Sequence, residues 1–182
     1  MMNKKSSRFL DHYDQYKAKI YNYCWYRVNF DRDTAEDLTS EIFIKAFSNF
    51  ESFDPEGSFQ AWIYAIAHNH LVNHYRKSGR EVPLDEFEFT VDSQAAKVHT
   101  SLEVEKILQE IAKLDGYSRD VLLMKYVDEL DSQEIAQALG KKDGAVRTQI
   151  SRALAALKEK LVSNTASEKA TRDTTVTEKD PR

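Results

Sequence analysis

Turn chemistry is scarce in this sequence: 182 residues hold three prolines and five glycines. A β-sandwich or barrel needs turn residues between many short strands, so this shortage, with 41% apolar residues, predicts helices instead. One cysteine, Cys24, cannot close an internal disulfide, and nothing points to an oxidising compartment. Cys24 lies in an aromatic helical run and reads as a small buried apolar side chain, not a redox centre. No apolar run approaches the ~20 residues that span a bilayer. The N-terminal stretch MMNKKSSRFLDHYDQY lacks the apolar core of a signal peptide. These absences predict an all-α protein located in the cytoplasm, with no direct membrane contact.

Net charge is −4, a poor balance for a nucleic-acid binder until its distribution is read. Residues 1–80 carry 11 basic and 10 acidic groups, 81–110 carry 2 and 8, 111–163 carry 9 and 8, and 164–182 carry 4 and 4. The acidity sits in one middle segment between two nearly neutral blocks. Phosphate neutralisation supplies much of the grip on DNA. Either block alone should therefore bind DNA modestly, which favours a protein that binds as part of a larger assembly.

Residues 130–161 read LDSQEIAQALGKKDGAVRTQISRALAALKEKL. Asp131 followed by Glu134 is a capping box, with Leu130 and Ile135 as its hydrophobic staple. Ile135, Ala136 and Leu139 give the short helix an apolar face, and Gly140 stops it. Val146, Ile150, Leu154, Leu157 and Leu161 then recur at helical spacing. Two helices joined by a glycine turn make a helix-turn-helix. The outer face of the second carries Arg147, Thr148, Ser151 and Arg152, side chains suited to phosphates and base edges in a major groove. From 138 to 160 there are six basic residues, Lys141 and Lys142 among them, against two acidic ones. The competing reading is a helical hairpin in an ordinary core with a solvated polar face.

Upstream, Tyr13, Tyr16, Ile20, Tyr23, Cys24 and Arg27 mark a first helix. A second starts near Asp33 or Thr34. Its apolar residues Leu38, Ile42, Phe43, Ala46 and Phe50 cover more than one side, as in a helix that is deeply buried or docked on a partner. A third helix is capped by Ser58, has Trp62, Ala65 and Ile66 toward a core, and turns polar and basic through Asn69, Asn73 and Arg76. His70 and His74 are four apart, a metal-ligand spacing. The segment is HLVNH rather than HExxH, with no nearby carboxylate, so no metal or other cofactor is expected. Residues 81–100 read as an acidic linker. Helical periodicity resumes at Leu102, and another helix covers 118–126. Residues 164–182 read as a disordered C-terminal tail. Two small helical domains are thus expected, at 1–80 and 101–163.

Taken together, the motifs resemble those of the extracytoplasmic-function group of bacterial RNA polymerase sigma factors, over roughly residues 10–162. DTAEDLTSEIFIKAF looks like the core-polymerase-binding helix. FESFDPEGSFQAWIYAIAHNHLVNHYRK looks like the strand-opening, −10-reading segment (region 2). LDGYSRDVLLMKYVDELDSQEIAQALGKKDGAVRTQISRALAALK looks like the −35-reading domain (region 4). The resemblance implies that Asp37, Leu38, Glu41 and Phe43 contact the clamp helices of the largest polymerase subunit. It implies that Phe59, Trp62 and Tyr64 support strand separation, that Asn69, Asn73 and Arg76 meet the melted −10 strand, and that the loop 53–58 shapes a base pocket. Plain core packing is the competing reading of Trp62. The acidic linker would thread the polymerase interior, and an anti-sigma factor is a possible further partner.

Some positions depart from the pattern. Ser40 replaces a Gln before Glu41, and Leu114-Asp115 replaces Leu-Pro. Lys142 stands where a capping Ser is common, with Asp143 as an alternative cap one residue on. Ala145 replaces a Thr, and Gln149 replaces a basic residue. The expected function is a promoter-specificity subunit with no catalytic group. The alternatives are a stand-alone helix-turn-helix regulator, usually dimeric, and a metal-dependent hydrolase using the histidines.

Overall fold

Three aspartates start helices. Asp31 Oδ1 accepts from the Thr34 amide at 3.2 Å, Asp115 Oδ1 from the Ser118 amide at 2.9 Å, and Asp131 Oδ1 from the Gln133 and Glu134 amides, both at 2.8 Å. A helix start leaves its first amides without intrahelical partners, and these side chains fill that need. Glu134 Oε2 accepts from the Asp131 amide at 3.0 Å, which completes the capping box. Gly140, at φ +63°, ends that helix in the left-handed region. Asp115, in the place of the family's proline, caps a helix that opens at Gly116, earlier than the expected 118.

The computed structural model describes residues 4–28, 30–77 and 102–176. The first domain comprises α1 (Lys4–Arg27), α2 (Arg32–Asn49), a short 3₁₀ turn (Phe50–Ser52) and α3 (Phe59–Lys77). The second comprises α4 (Leu102–Ala112), α5 (Gly116–Tyr126), α6 (Ser132–Leu139) and α7 (Asp143–Val176). The expected acidic linker, 81–100, lies outside the described residues. Helix α7 runs on through the first part of the expected tail, to Val176; no glycine or proline after Gly144 interrupts it before Pro181. No described helix is long and apolar enough to cross a membrane.

In the first domain, α1, α2 and α3 pack mutually around Ile20, Tyr23, Cys24, Ile42, Ala46 and Ile63, all fully buried. Burial pushes the Cys24 thiol up to about 12, so it stays a neutral core side chain as expected. The buried face of α3 is Phe59, Ile63, Tyr64, Ala67 and Leu71, with Trp62 and Ile66 half-buried at its edge. In the second domain α7 packs against α4, α5 and α6. Its buried stripe is Val146, Ala153 and Leu157, with Ile150 half-buried; Leu154, expected on that stripe, is exposed. Ala153 takes its place because at 3.6 residues per turn it returns to within about 20° of Val146, whereas two steps of four carry Leu154 about 80° round the helix.

The domains touch. α6 lies along α3, and one hydrophobic core runs through both domains. Ser58 Oγ, at the start of α3, donates to Glu134 Oε1 in α6 at 2.7 Å. At the centre is Arg27, buried at the end of α1. Its Nε donates to Asp120 Oδ1 at 3.2 Å, its Nη1 lies 3.7 Å from Asp128 Oδ2, and its guanidinium carbon sits 3.7 Å from the centre of the Tyr23 ring. Both aspartates are buried. Burial opposes the charge on Arg27, but Tyr23, Asp120 and Asp128 outweigh it and hold its pKa above the usual value.

Two carboxylates share one guanidinium, and the cost falls on Asp128. Burial, helped by Asp120 and opposed by Arg27, Tyr64 and Lys19, pushes its carboxyl up to about 7. A carboxyl raised on folding binds more protons folded than unfolded. Its contribution is therefore fully present below the unfolded pKa and is lost as pH rises through 7, by at most ~1.4 kcal/mol per pH unit. His12, His68 and His70, all held below their usual values first by burial, act in the opposite sense. The readout is thus the stability of the wild type minus that of Asp128→Asn, by urea unfolding from pH 5 to 8. This difference should fall as pH rises; a flat difference contradicts the assignment.

Candidate nucleic-acid interface

The helix-turn-helix presents its polar face to solvent. Lys141, Lys142, Arg147, Thr148, Ser151 and Arg152 are all exposed, while Val146 and Ala153 behind them are buried. The recognition helix starts at Asp143, so Lys142 holds the cap position and the alternative, Asp143 as cap, does not occur. Instead Asp143 Oδ2 pairs with Arg147 Nη2 at 2.9 Å. The Thr148 hydroxyl donates to the Gly144 carbonyl at 2.9 Å, which leaves its methyl group for apolar contact. Gln149 Nε2 donates inward to Ser118 Oγ at 2.9 Å, tying the recognition helix to α5 instead of facing solvent.

On α3 the expected strand-reading residues divide. Asn69 and Arg76 are exposed and Asn73 is half-buried, spaced four and three apart along one face. Phe59 is buried in an aromatic cluster. His12 stacks on its ring at 3.9 Å, and Phe53 and Trp62 lie 5.4 Å from it. Trp62 is half-buried, so of this pair it is the ring with an open face. Tyr64 is fully buried, edge-on to Tyr23 at 5.2 Å, and is a core residue rather than a strand-separating one.

His70, next to Asn69, is buried between helices. Lys45 Nζ lies 2.5 Å from its Nδ1, and Glu41 Oε2 lies 2.8 Å from its Nε2, without the angle of an ordinary hydrogen bond. Both ring nitrogens therefore face side chains of α2, and one of these is the Glu41 carboxylate, although the local sequence of the third helix predicts no carboxylate nearby. Glu41 thereby connects α2 to α3.

The expected polymerase-docking residues also divide. Asp37 and Glu41 are exposed, but Leu38 (3% exposed) and Phe43 (5%) are buried. Phe43 packs its ring edge-on to Tyr13 at 4.8 Å and Phe9 at 6.4 Å. The apolar side chains that α2 offers to solvent are Ile44 (67% exposed) and Phe47 (41%); on α1, Leu10 and Tyr13 are also exposed. The sequence signal was present: α2 has more apolar residues than one buried stripe can use. Which of them face outward depends on where α1 packs. The corrected roles separate in a stability measurement. Phe43→Ala should cost ~3–5 kcal/mol, as a core truncation does, and Ile44→Ala about 0.5 kcal/mol or less, by urea denaturation.

Residues 12–81 match the Sigma-70 region 2 family and residues 104–157 match Sigma-70, region 4. The chain is 36% identical over 166 residues to the ECF RNA polymerase sigma factor SigW of Bacillus subtilis, covering 84% of this chain and 88% of that relative. It is 31% identical over 165 residues to the RNA polymerase sigma factor YlaC of the same organism, covering 87% and 95%. The fold is similar to that of the sigma factor RpoE, solved with the anti-sigma factor NepR from Bartonella quintana, at TM-score 0.67 and 20% identity over 85% of this chain and 96% of that one. The two matched regions fall on the two helical domains, in order, and the chain belongs to the ECF RNA polymerase sigma factors, which direct core polymerase to specific promoters.

Proposed function

We propose that this sigma factor reads its promoter at two points. The observation that carries this reading is the pair of separate exposed polar faces, one on α7 and one on α3. Lys141, Lys142, Arg147, Thr148, Ser151 and Arg152 engage the −35 duplex, with Arg147 released from Asp143 to reach a base edge. Trp62, Asn69, Asn73 and Arg76 engage the melted −10 strand, where a stacked base is worth ~1–3 kcal/mol. Phe59 supports Trp62 from beneath. Asp37 and Glu41 dock on the clamp helices of the polymerase, with Ile44 and Phe47 as the apolar contacts. Leu38 and Phe43 hold that surface in shape from the core.

The protein contributes no catalytic group, since nucleotide chemistry belongs to the polymerase. It acts in the cytoplasm, beside that enzyme. An anti-sigma partner fits the same exposed faces, as the RpoE–NepR pairing suggests by analogy. The weak charge of each domain makes polymerase the source of most of the grip on DNA.

Gel shifts and transcription with purified core polymerase test this reading. The chain with core polymerase should bind and transcribe a cognate promoter, and the chain alone should not retain it. Arg147→Ala should lose ~1–3 kcal/mol of discrimination at one −35 base pair. Retention of duplex DNA without polymerase, or an unchanged −35 preference in Arg147→Ala, contradicts it.

A further inference from the structure

His70 is buried where α3 packs on α2, and both of its ring nitrogens go to side chains of α2. Lys45 Nζ lies 2.5 Å from Nδ1 and Glu41 Oε2 lies 2.8 Å from Nε2. Glu41 and Lys45 are exposed and one turn apart, with the exposed Asp37 one turn before them on the same face. The charges set the tautomer. An ammonium only donates, so Nδ1 accepts, and the proton of the neutral ring sits on Nε2, toward the carboxylate. Burial and then Lys45 favour the neutral ring, against the pull of Glu41, and hold the pKa of His70 below its ordinary value. His74, one turn on in α3, acts in the same sense as Lys45.

Stability is a weak reason for this arrangement. Contacts made by exposed charges contribute little to folding, and a leucine at position 70 would fill the buried space without taking a polar ring out of water. Binding is a stronger reason. Long charged side chains lose rotamer freedom when a partner holds them, and a surface that holds them beforehand avoids that loss on docking. His70 keeps one negative and one positive side chain in set places on the helix whose Asp37 and Glu41 are the docking charges. Lys45 thereby joins that face.

We propose that His70 is a positioning residue for polymerase docking, holding Glu41 and Lys45 as an ordered pair of opposite charges for the clamp helices. The proposal rests on the docking role given to α2 above, and adds Lys45 to it. It requires the neutral ring. A protonated ring turns an N–H toward the Lys45 ammonium and drives that side chain away, while drawing Glu41 inward. Docking should therefore weaken as pH falls through the pKa of His70, which lies below 6.5.

Binding of the full chain to immobilised core polymerase, measured by biolayer interferometry from pH 8 to 5.5, tests it. His70→Leu should bind roughly tenfold more weakly at pH 8, having lost the ordering of two long side chains. Glu41→Gln/Lys45→Met, both surface changes, should also bind weakly. Adding His70→Leu to that pair should weaken binding no further, because nothing is left to position. A merely structural histidine would cost the same factor in both backgrounds. Should His70→Leu fail to fold, the pH profiles of the wild type and of Glu41→Gln/Lys45→Met carry the test. The wild type should lose affinity as pH falls below 6.5, and the double variant should lose much less. The remaining histidines are common to both proteins, so the difference between the profiles reports His70. The positioning role is overturned by parallel profiles, by an equal loss from His70→Leu in both backgrounds, or by wild-type affinity in His70→Leu while Glu41→Gln/Lys45→Met binds weakly. Wild-type affinity in Glu41→Gln/Lys45→Met would instead remove the docking reading, and the proposal with it.

Discussion

Arg27 is the interaction on which the arrangement of this protein depends. It lies at the last turn of α1, where its Nη1 donates to its own helix at the Tyr23 carbonyl, 3.0 Å away. From there it reaches two aspartates that belong to the other domain. Tyr75, from α3, donates to the Arg27 carbonyl and so fastens the same helix end from a third side. A single residue thus ties the end of α1 to α3 through its backbone carbonyl and to the second domain through its side chain. Burying it without Asp120 and Asp128 would leave an uncompensated charge, which is far costlier than the pair itself is favourable.

Much of this architecture is legible in the sequence because it is local. The Asp131–Glu134 capping box, the Gly140 stop and the recognition-helix face depend on residues three or four apart, and the structure places them as read. The Ser58 cap of α3 holds too, with Ser58 Oγ accepting from the Ala61 amide at 3.1 Å. What failed is what depends on distant packing. Phe43 and Ile44 are adjacent apolar residues in one helix, and only the position of α1 makes the first core and the second surface. Tyr64 looked available beside Trp62, yet it meets Tyr23 from α1. Arg27 stood in an aromatic run at core spacing, but its partners are 93 residues away or further, and no periodicity announces them.

The candidate sites share a physical economy. Side chains of the proposed sites are held by single polar contacts: Arg147 by Asp143, the Thr148 hydroxyl by the Gly144 carbonyl, and the docking residue Glu41 by His70. Each is an exposed or half-exposed contact of modest strength, easily exchanged for a better partner. The side chains behind them are buried: Val146 and Ala153 on α7, Ile63 and Ala67 on α3. Such a surface favours specificity over grip, in keeping with nearly neutral domains that work on a polymerase.

Site-specific photocrosslinking of the holoenzyme on promoter DNA tests the central claim most directly. A photoreactive amino acid replaces Asn69 in one protein and Ser151 in another, and the attachment points are mapped on each strand. The account predicts attachment from position 69 to one unpaired strand near −10, and from position 151 to duplex DNA about two turns or more upstream. Attachment of both positions to the same duplex segment, with no strand preference at 69, would contradict it.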